Sequence, residues 1–293
     1  MGEYKVYKAF SLNEDNLNIE KQYKYAENYR IDKIGNGNVC YIFFSSNGLV
    51  APVTENAFLE TIVHKDRYEW KHVAHSKEIS SKAGKIIYVR DIYQQFYVCG
   101  INKKVNSIDK LCKFLEELVE GMRIITCGTS SGGYMAVIAG IYLKAECVFS
   151  FGGQWSLSEK DRSLYFLDKH KNDEERNKYY DITRLLDNNQ SPIMYFYSAL
   201  NLGDVRQTEI LLSSGKNDRV YCFPMRSDLH GYLLFNSCYK RLLTCKMDKL
   251  ICLSEKIKKK GRLISLRWMC IFILRWDEAI REIIKDMIGK QKV

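Results

Sequence analysis

Thr126-Cys-Gly-Thr-Ser-Ser-Gly-Gly-Tyr-Met135 sets the pentapeptide Gly128-Thr-Ser-Ser-Gly132 between a β-like run, Met122 to Cys127, and a small-residue helical run, Tyr134 to Leu143. A serine on a sharp strand-to-helix turn is lifted above the sheet edge. The residues two positions either side must then be nearly free of side chain, so that strand and helix can pack. This is the setting of a nucleophile elbow, and Ser130 is its candidate nucleophile. A glycine-rich βα turn without chemistry has the same pentapeptide, so the downstream residues must decide between the two.

A serine nucleophile needs a base, and the base needs an acid to orient it; in an α/β-hydrolase, which such a turn resembles, the acid and then the histidine follow the serine, each on a loop after a later strand. Pro192 to Ser198 is a short apolar and aromatic run of the buried-strand type. It opens into Ala199-Leu-Asn-Leu-Gly-Asp204 before a helix expected over Val205 to Leu212. Arg219 to Phe223 is a further strand-like run, followed by a loop carrying Asp228-Leu-His230-Gly231. Asp204 and His230 are therefore the candidate acid and base. His64, His72 and His75 precede the elbow, and His170 lies in a charged stretch, Glu159 to Lys178, that reads as a solvated insertion. Asp218 competes for the acid's place, but it sits in a turn with Gly215 and Asn217, where Asp bonds its own backbone. Asp228 is too near His230 along the chain to orient its ring.

With these residues in place the chain resembles the α/β-hydrolase superfamily. More narrowly, it resembles the hydrolase-like proteins of bacterial capsule and surface-polysaccharide loci, some of which look like O-acetyltransferases. The resemblance is carried by Tyr41-Ile-Phe-Phe-Ser-Ser-Asn-Gly48, Asp66-Arg-Tyr-Glu-Trp70, Gly128 to Tyr134, and Val148-Phe-Ser-Phe-Gly-Gly-Gln154, with Asp204 and His230, over roughly residues 35 to 245. It implies a mostly parallel sheet with helices on both faces and acyl transfer through Ser130, with His230 as base and Asp204 as its orienting acid. It further implies an oxyanion loop after the strand Val39 to Phe44, where backbone amides of Ser46 or Asn47 would join that of Ser131. Ser45-Ser-Asn-Gly48 departs from the His-Gly-Gly-Gly motif of lipases, and a plain turn of Ser, Asn and Gly accounts for it equally. Tyr134, Gln154 and Trp155 are candidates for a shallow sugar-binding rim, with a place in the core as the alternative.

Composition fits one globular enzyme of this kind. A chain of 293 residues, 46% of them hydrophobic, can bury a large core, and three prolines leave little room for long linkers. Lys85 to Asp91 reads as a strand. Ser107 to Gly121 reads as an amphipathic helix capped by Ser107 and ended by Gly121, with Ile108, Leu111, Leu115 and Leu118 on one face. Ten cysteines are spread singly, with no Cys-x-x-Cys pair, and read as reduced core thiols; no metal site is expected. The first residues, Met-Gly-Glu-Tyr-Lys-Val, lack the apolar core of a signal peptide, which points to the cytoplasm.

The expected division is a hydrolase domain over 1–245, with an insertion at about 155–190, and a basic helical extension over 246–293. Residues 245 to 293 hold 13 Lys and Arg against 6 Asp and Glu. Their apolar run, Leu263 to Trp276, is interrupted by Arg267 and is shorter than the roughly twenty residues that span a bilayer. Two readings of this extension stay open. It packs on the sheet with a wet basic face, or it meets an anionic membrane surface or polyanionic glycan, placing the protein at the inner face of the membrane. No nucleic-acid motif is present.

Two function classes remain. The first is a serine-dependent carbohydrate acyl enzyme, hydrolysing or transferring acetyl groups, with no cofactor and with acetyl-CoA admissible as donor; a general carboxylesterase or thioesterase is its variant. The second is a catalytically idle hydrolase fold serving a glycan-assembly complex.

Overall fold

The computed structural model describes residues 16–157, 170, 172–231, 233–274, 279–281 and 283. Its centre is a seven-stranded sheet of β1 (Tyr29–Lys33), β2 (Val39–Phe44), β3 (Ala83–Val89), β4 (Arg123–Thr129), β5 (Cys147–Phe151), β6 (Ile193–Ser198) and β7 (Val220–Met225), in the order β1-β3-β2-β4-β5-β6-β7. β1 runs antiparallel to β3, and every other pairing is parallel. Parallel strands need crossovers, and the helices that make them cover both faces, so central strands become apolar throughout. β2 is buried at every position, with Cys40, Ile42 and Phe44 facing one apolar cluster and Val39, Tyr41 and Phe43 the other. In β6, Ile193 and Tyr195 alternate with Met194 and Phe196 in the same way.

The main helices are α1 (Leu17–Tyr25), α2 (Ile108–Leu118), α3 (Ser131–Tyr142), α4 (Leu202–Ser213), α5 (Asn236–Leu242), α6 (Met247–Lys260) and α7 (Leu266–Ile273). α2 starts where Ser107 accepts the Lys110 amide through its hydroxyl at 3.3 Å, and it buries Ile108, Leu111 and Leu115 against the sheet. α3 is buried from Ser131 through Gly140, which is why its sequence is small and apolar on all sides.

The division at 245 does not coincide with a break in packing. Leu250, Leu253 and Ile257 of α6 and Met269 and Cys270 of α7 share one cluster with Phe196, Phe223 and Met225 of the sheet. These segments also close the open edge of β7. Ser254 Oγ donates to the Cys222 carbonyl at 3.1 Å, and the Ile264 amide donates to the Pro224 carbonyl at 2.8 Å. The Arg226 amide returns a bond to the Ile264 carbonyl at 2.8 Å, while Pro224 has no amide proton to offer. An exposed strand edge is a template for aggregation, and here it is capped. The lysines at 256, 258, 259 and 260 remain exposed on the outer side of α6. No helix of the described residues is long and apolar enough to cross a membrane.

Residues at both ends of the insertion expected at about 155–190 belong to the core. Trp155, Leu157, Tyr179, Ile182 and Leu186 lie in the core, and Ser156 bridges Asp181. Most of the charged stretch between them lies outside the described residues, but His170, read as part of a solvated surface, is buried against Cys99.

Candidate active site

Ser130 stands at the end of β4, where φ 53° and ψ −121° put a non-glycine residue in a sparsely populated backbone region. Two features hold it there. Its amide donates to the Phe151 carbonyl of the neighbouring strand at 2.8 Å, and its carbonyl accepts the Tyr134 amide at 2.9 Å as the first turn of α3. The glycines either side allow the close approach: a Cβ on Gly128 would lie 2.1 Å from the Gly132 carbonyl oxygen, and one on Gly132 would lie 2.3 Å from that of Phe44. Any side chain at either position would force strand and helix apart.

The loops after β6 and β7 converge on the same sheet edge. Asp204 lies inside the first turn of α4, not in the loop before it. Asn201 caps that helix by accepting the Asp204 amide at 3.2 Å, and the Thr208 hydroxyl donates to the Asp204 carbonyl at 2.9 Å. A carboxylate at a helix N-terminus is favoured by the exposed amide dipoles, and this one is almost wholly buried. Its Oδ2 accepts the Ser198 amide at 3.0 Å, and its Oδ1 lies 2.5 Å from His230 Nδ1. The far ring nitrogen, Nε2, is 2.8 Å from Ser130 Oγ. Three further bonds tie the two loops: Ser198 Oγ to the Leu229 carbonyl, Asn201 Nδ2 to the Asp228 carbonyl and the Leu200 amide to the Ser227 carbonyl. Asp218 is exposed in the turn before β7, so the length of that strand, about 20 Å, separates it from His230. Asp228 is exposed and contributes its carbonyl to Asn201.

Gly152 is a site residue that sequence reading left unremarked. Its φ is +60°, and a Cβ there would stand 3.3 Å from His230 Cε1 and 3.5 Å from both Asp204 Oδ2 and His230 Nδ1. The glycine leaves room for the Asp204–His230 pair, and its amide donates to the Phe196 carbonyl at 2.7 Å. The Gly-Gly pair at the end of a strand was the available signal.

The loop after β2, where the resemblance implies oxyanion donors, has its amides engaged within the protein. The Ser46 amide donates to Glu69 Oε2 at 2.8 Å, and the Ser46 hydroxyl donates to Glu69 Oε1 at 2.8 Å. Burial raises the Glu69 carboxyl above its ordinary value, against the pull of these bonds. The Asn47 amide donates to Ser131 Oγ at 2.9 Å, and Ser131 Oγ donates back to Asn47 Oδ1 at 2.9 Å. Of the three amides, that of Ser131 alone has no acceptor among the described residues. Asn47 Nδ2 donates to the Gln94 carbonyl at 3.0 Å, in a loop pinned by Asp91, whose carboxylate accepts the amides of Tyr93, Gln95 and Tyr97.

Of the two places open to Tyr134, Gln154 and Trp155, a sugar-binding rim or the core, they take the core. Tyr134, Gln154 and Trp155 are all at most 2% exposed. The Tyr134 hydroxyl donates to the Tyr179 carbonyl at 2.6 Å, Trp155 stands edge-on to Tyr195, and the amides of Trp155 and Ser156 are held by Gln207 Oε1. These side chains are wedges between α3, α4 and the sheet. The exposed apolar residues flanking Asp204 and His230 are Leu200, Leu202 and Leu229.

No protein-family model and no curated protein matches the sequence. Among solved structures, a capsule O-acetyltransferase of Neisseria meningitidis serogroup A is similar at 13% identity, covering 69% of this chain and 84% of that one with a TM-score of 0.50. The α/β hydrolase MGS-MChE2, from a metagenome of lagoon sediments at Mar Chica, Morocco, is 13% identical and covers 80% of this chain and 95% of that one, with a TM-score of 0.42. The esterase domain of a Rhodothermus marinus protein is 11% identical over 80% and 91%, with a TM-score of 0.42. The first of these likenesses, the strand order and the Ser130 turn agree on one architecture: the chain has the α/β-hydrolase fold.

Proposed function

We propose that this protein is a serine-dependent acyl enzyme that transfers or hydrolyses O-acetyl groups on carbohydrate in capsular or surface-polysaccharide synthesis. The observation that carries the reading is the hydrogen-bonded series from Ser130 Oγ through His230 to Asp204. Its substrate side rests on the fold-level likeness to a capsule O-acetyltransferase, supported by the resemblance read from the sequence.

A serine hydroxyl becomes nucleophilic as an imidazole removes its proton during attack. His230 Nε2 takes that proton, and Asp204, bonded to Nδ1, fixes the tautomer and stabilises the imidazolium. The acyl carbon bonds to Ser130 Oγ, the leaving group departs with the proton from His230, and water or a sugar hydroxyl then collects the acyl group by the reverse sequence. The Ser131 amide supports the negative oxygen of the tetrahedral intermediate. The Asn47 amide becomes a second donor once Ser131 Oγ turns away from it. The exposed lysines of α6 supply a basic face toward an anionic glycan or membrane surface.

A fluorophosphonate probe should label Ser130, and a chromogenic acetyl ester should be hydrolysed. With acetyl-CoA as donor, a capsule-type oligosaccharide should raise acetyl release, with acetyl recovered on the sugar. Absence of labelling would leave an idle fold as the better reading, and free acetate alone would leave an esterase.

A further inference from the structure

A cysteine–histidine pair lies outside the candidate active site. Cys99 is 5% exposed and opens onto a cavity of about 390 Å³ lined by Glu20, Lys24, Tyr93, Lys103, His170 and Arg176, among others. Its Sγ stands 3.4 Å from His170 Nε2 and 3.3 Å from Gln95 Oε1. Arg176, whose guanidinium is bonded to Asp173, lines the same cavity. The Tyr23 hydroxyl donates to the Cys99 carbonyl at 2.7 Å and fixes the backbone at that point. None of these side chains serves the chemistry assigned to Ser130.

A thiol within reach of an imidazole nitrogen can pass its proton to the ring and remain as a thiolate beside the imidazolium, in a cavity that Arg176 also lines. The cavity adds Lys24 and Lys103 against the single carboxylate of Glu20. A volume of this size suits a small molecule, and the excess of cations suits an anion. A thioester partner would need donors for a carbonyl oxygen. A disulfide needs only a stabilised thiolate leaving group, which the cations provide.

We propose that Cys99 and His170 form a second, thiol-based site that exchanges with small anionic disulfides. The Cys99 proton moves to His170 Nε2, and the sulfur electron pair forms a bond to one sulfur of the disulfide. The other sulfur leaves with the broken bond's electron pair and takes the proton back from His170. One thiol and one disulfide become a mixed disulfide on Cys99 and one free thiol, with no further oxidant.

The test uses the full chain, with peptide-resolved mass spectrometry following all ten cysteines. Oxidised glutathione is the anionic probe, cystamine the cationic one and acetyl-CoA the thioester. Cys99 should form its mixed disulfide with oxidised glutathione about tenfold faster than the exposed Cys252, and faster than with cystamine. His170→Ala should bring the Cys99 rate down to that of Cys252. Lys24→Glu with Lys103→Glu, at exposed positions where folding is not at risk, should reverse the preference between the two disulfides. A Cys99 that reacts only on unfolding, prefers cystamine in the native chain, or is acetylated by acetyl-CoA and not modified by the disulfide overturns the proposal. Cys99→Ser should leave hydrolysis at Ser130 unchanged, so the two sites stand or fall separately.

Discussion

The two halves of the candidate site are built differently. On one side Ser130, His230 and Asp204 meet at the ends of β4, β7 and β6, each held by strand-end bonds and by glycines that let chains approach closely. On the other, the loop after β2 spends its donors internally, the Ser46 amide on Glu69 and the Asn47 amide on Ser131. The first half stands at bonding distance with no rearrangement. The second must release a donor before two amides can share an oxyanion. Side-chain chemistry in this molecule is set by the sheet, whereas main-chain donors depend on what else a loop has to satisfy.

The largest effects should fall on the assembled half. Ser130→Ala and His230→Ala should each lower turnover of any accepted ester by about 10⁴-fold or more, and the double variant should cost no more than either single one, because such residues act as a unit. A folded Ser130→Ala protein that keeps its activity breaks the mechanism. Asp204→Asn should cost about 10³-fold through the wrong imidazole tautomer, while Asp218→Asn, beyond the far end of β7, should change little. The opposite ranking, measured as kcat on one ester, would return Asp218 to the acid's place.

Gly152→Ala tests whether the close fit is the cause. The added Cβ meets His230 Cε1 at 3.3 Å in a left-handed backbone that costs about 1–2 kcal/mol for a non-glycine residue. A ring displaced by part of an ångström should lower kcat by about 10²-fold with little change in KM. Unaltered kinetics in a protein of unaltered stability would show that the glycine serves only the chain turn.

How much of this was legible tracks the same divide. The helix after Ser107 starts where its capping residue and apolar spacing put it, because both signals are local, and the strand Val39 to Phe44 lies where the family resemblance implied it. Ser130, Asp204 and His230 could be picked as candidates from order and spacing, since each comes after a strand that is visible by itself, and the structure brings the three side chains together. Tyr134 and Trp155 stayed ambiguous, because an aromatic residue near an elbow reads the same whether it lines a cleft or wedges a helix onto a sheet. Glu69 was not legible as the partner of Ser46, for nothing local marks a carboxylate 23 residues away as the acceptor of an amide. The packing of the basic extension was equally hidden, since its lysines dominate the composition while Leu250, Leu253 and Ile257 carry the contact.

The second half of the site should respond more weakly, and in both directions. Glu69→Gln removes the charged acceptor that holds the Ser46 amide and hydroxyl, so the loop after β2 loosens and kcat should fall by about tenfold. Ser131→Ala keeps the Ser131 amide and frees that of Asn47, so kcat should hold or rise by a few-fold. A loss of 10³-fold or more in Ser131→Ala would mean that its hydroxyl itself takes part, and the picture of a self-satisfied loop would give way.

The smallest expected effect on activity comes from beneath that loop, where Asp91 pins the segment whose Gln94 carbonyl holds Asn47. Burial pushes the Asp91 carboxyl up to about 6, even though the amides of Tyr97, Gln95 and Tyr93 favour its charged form. A carboxyl whose folded-state value lies above its unfolded one keeps a proton that the unfolded chain has already released. Its contribution is therefore full below about pH 4 and is lost as pH rises toward 6, by up to about 3 kcal/mol. Asp91→Asn removes that titration while keeping an acceptor oxygen for the amides. The stability difference between wild type and variant, measured by urea unfolding from pH 4 to pH 7, should shift against the wild type up to about pH 6 and then level off. A difference independent of pH would show that the Asp91 charge is carried in the folded protein without cost, and that amide bonding, not burial, governs this side of the site.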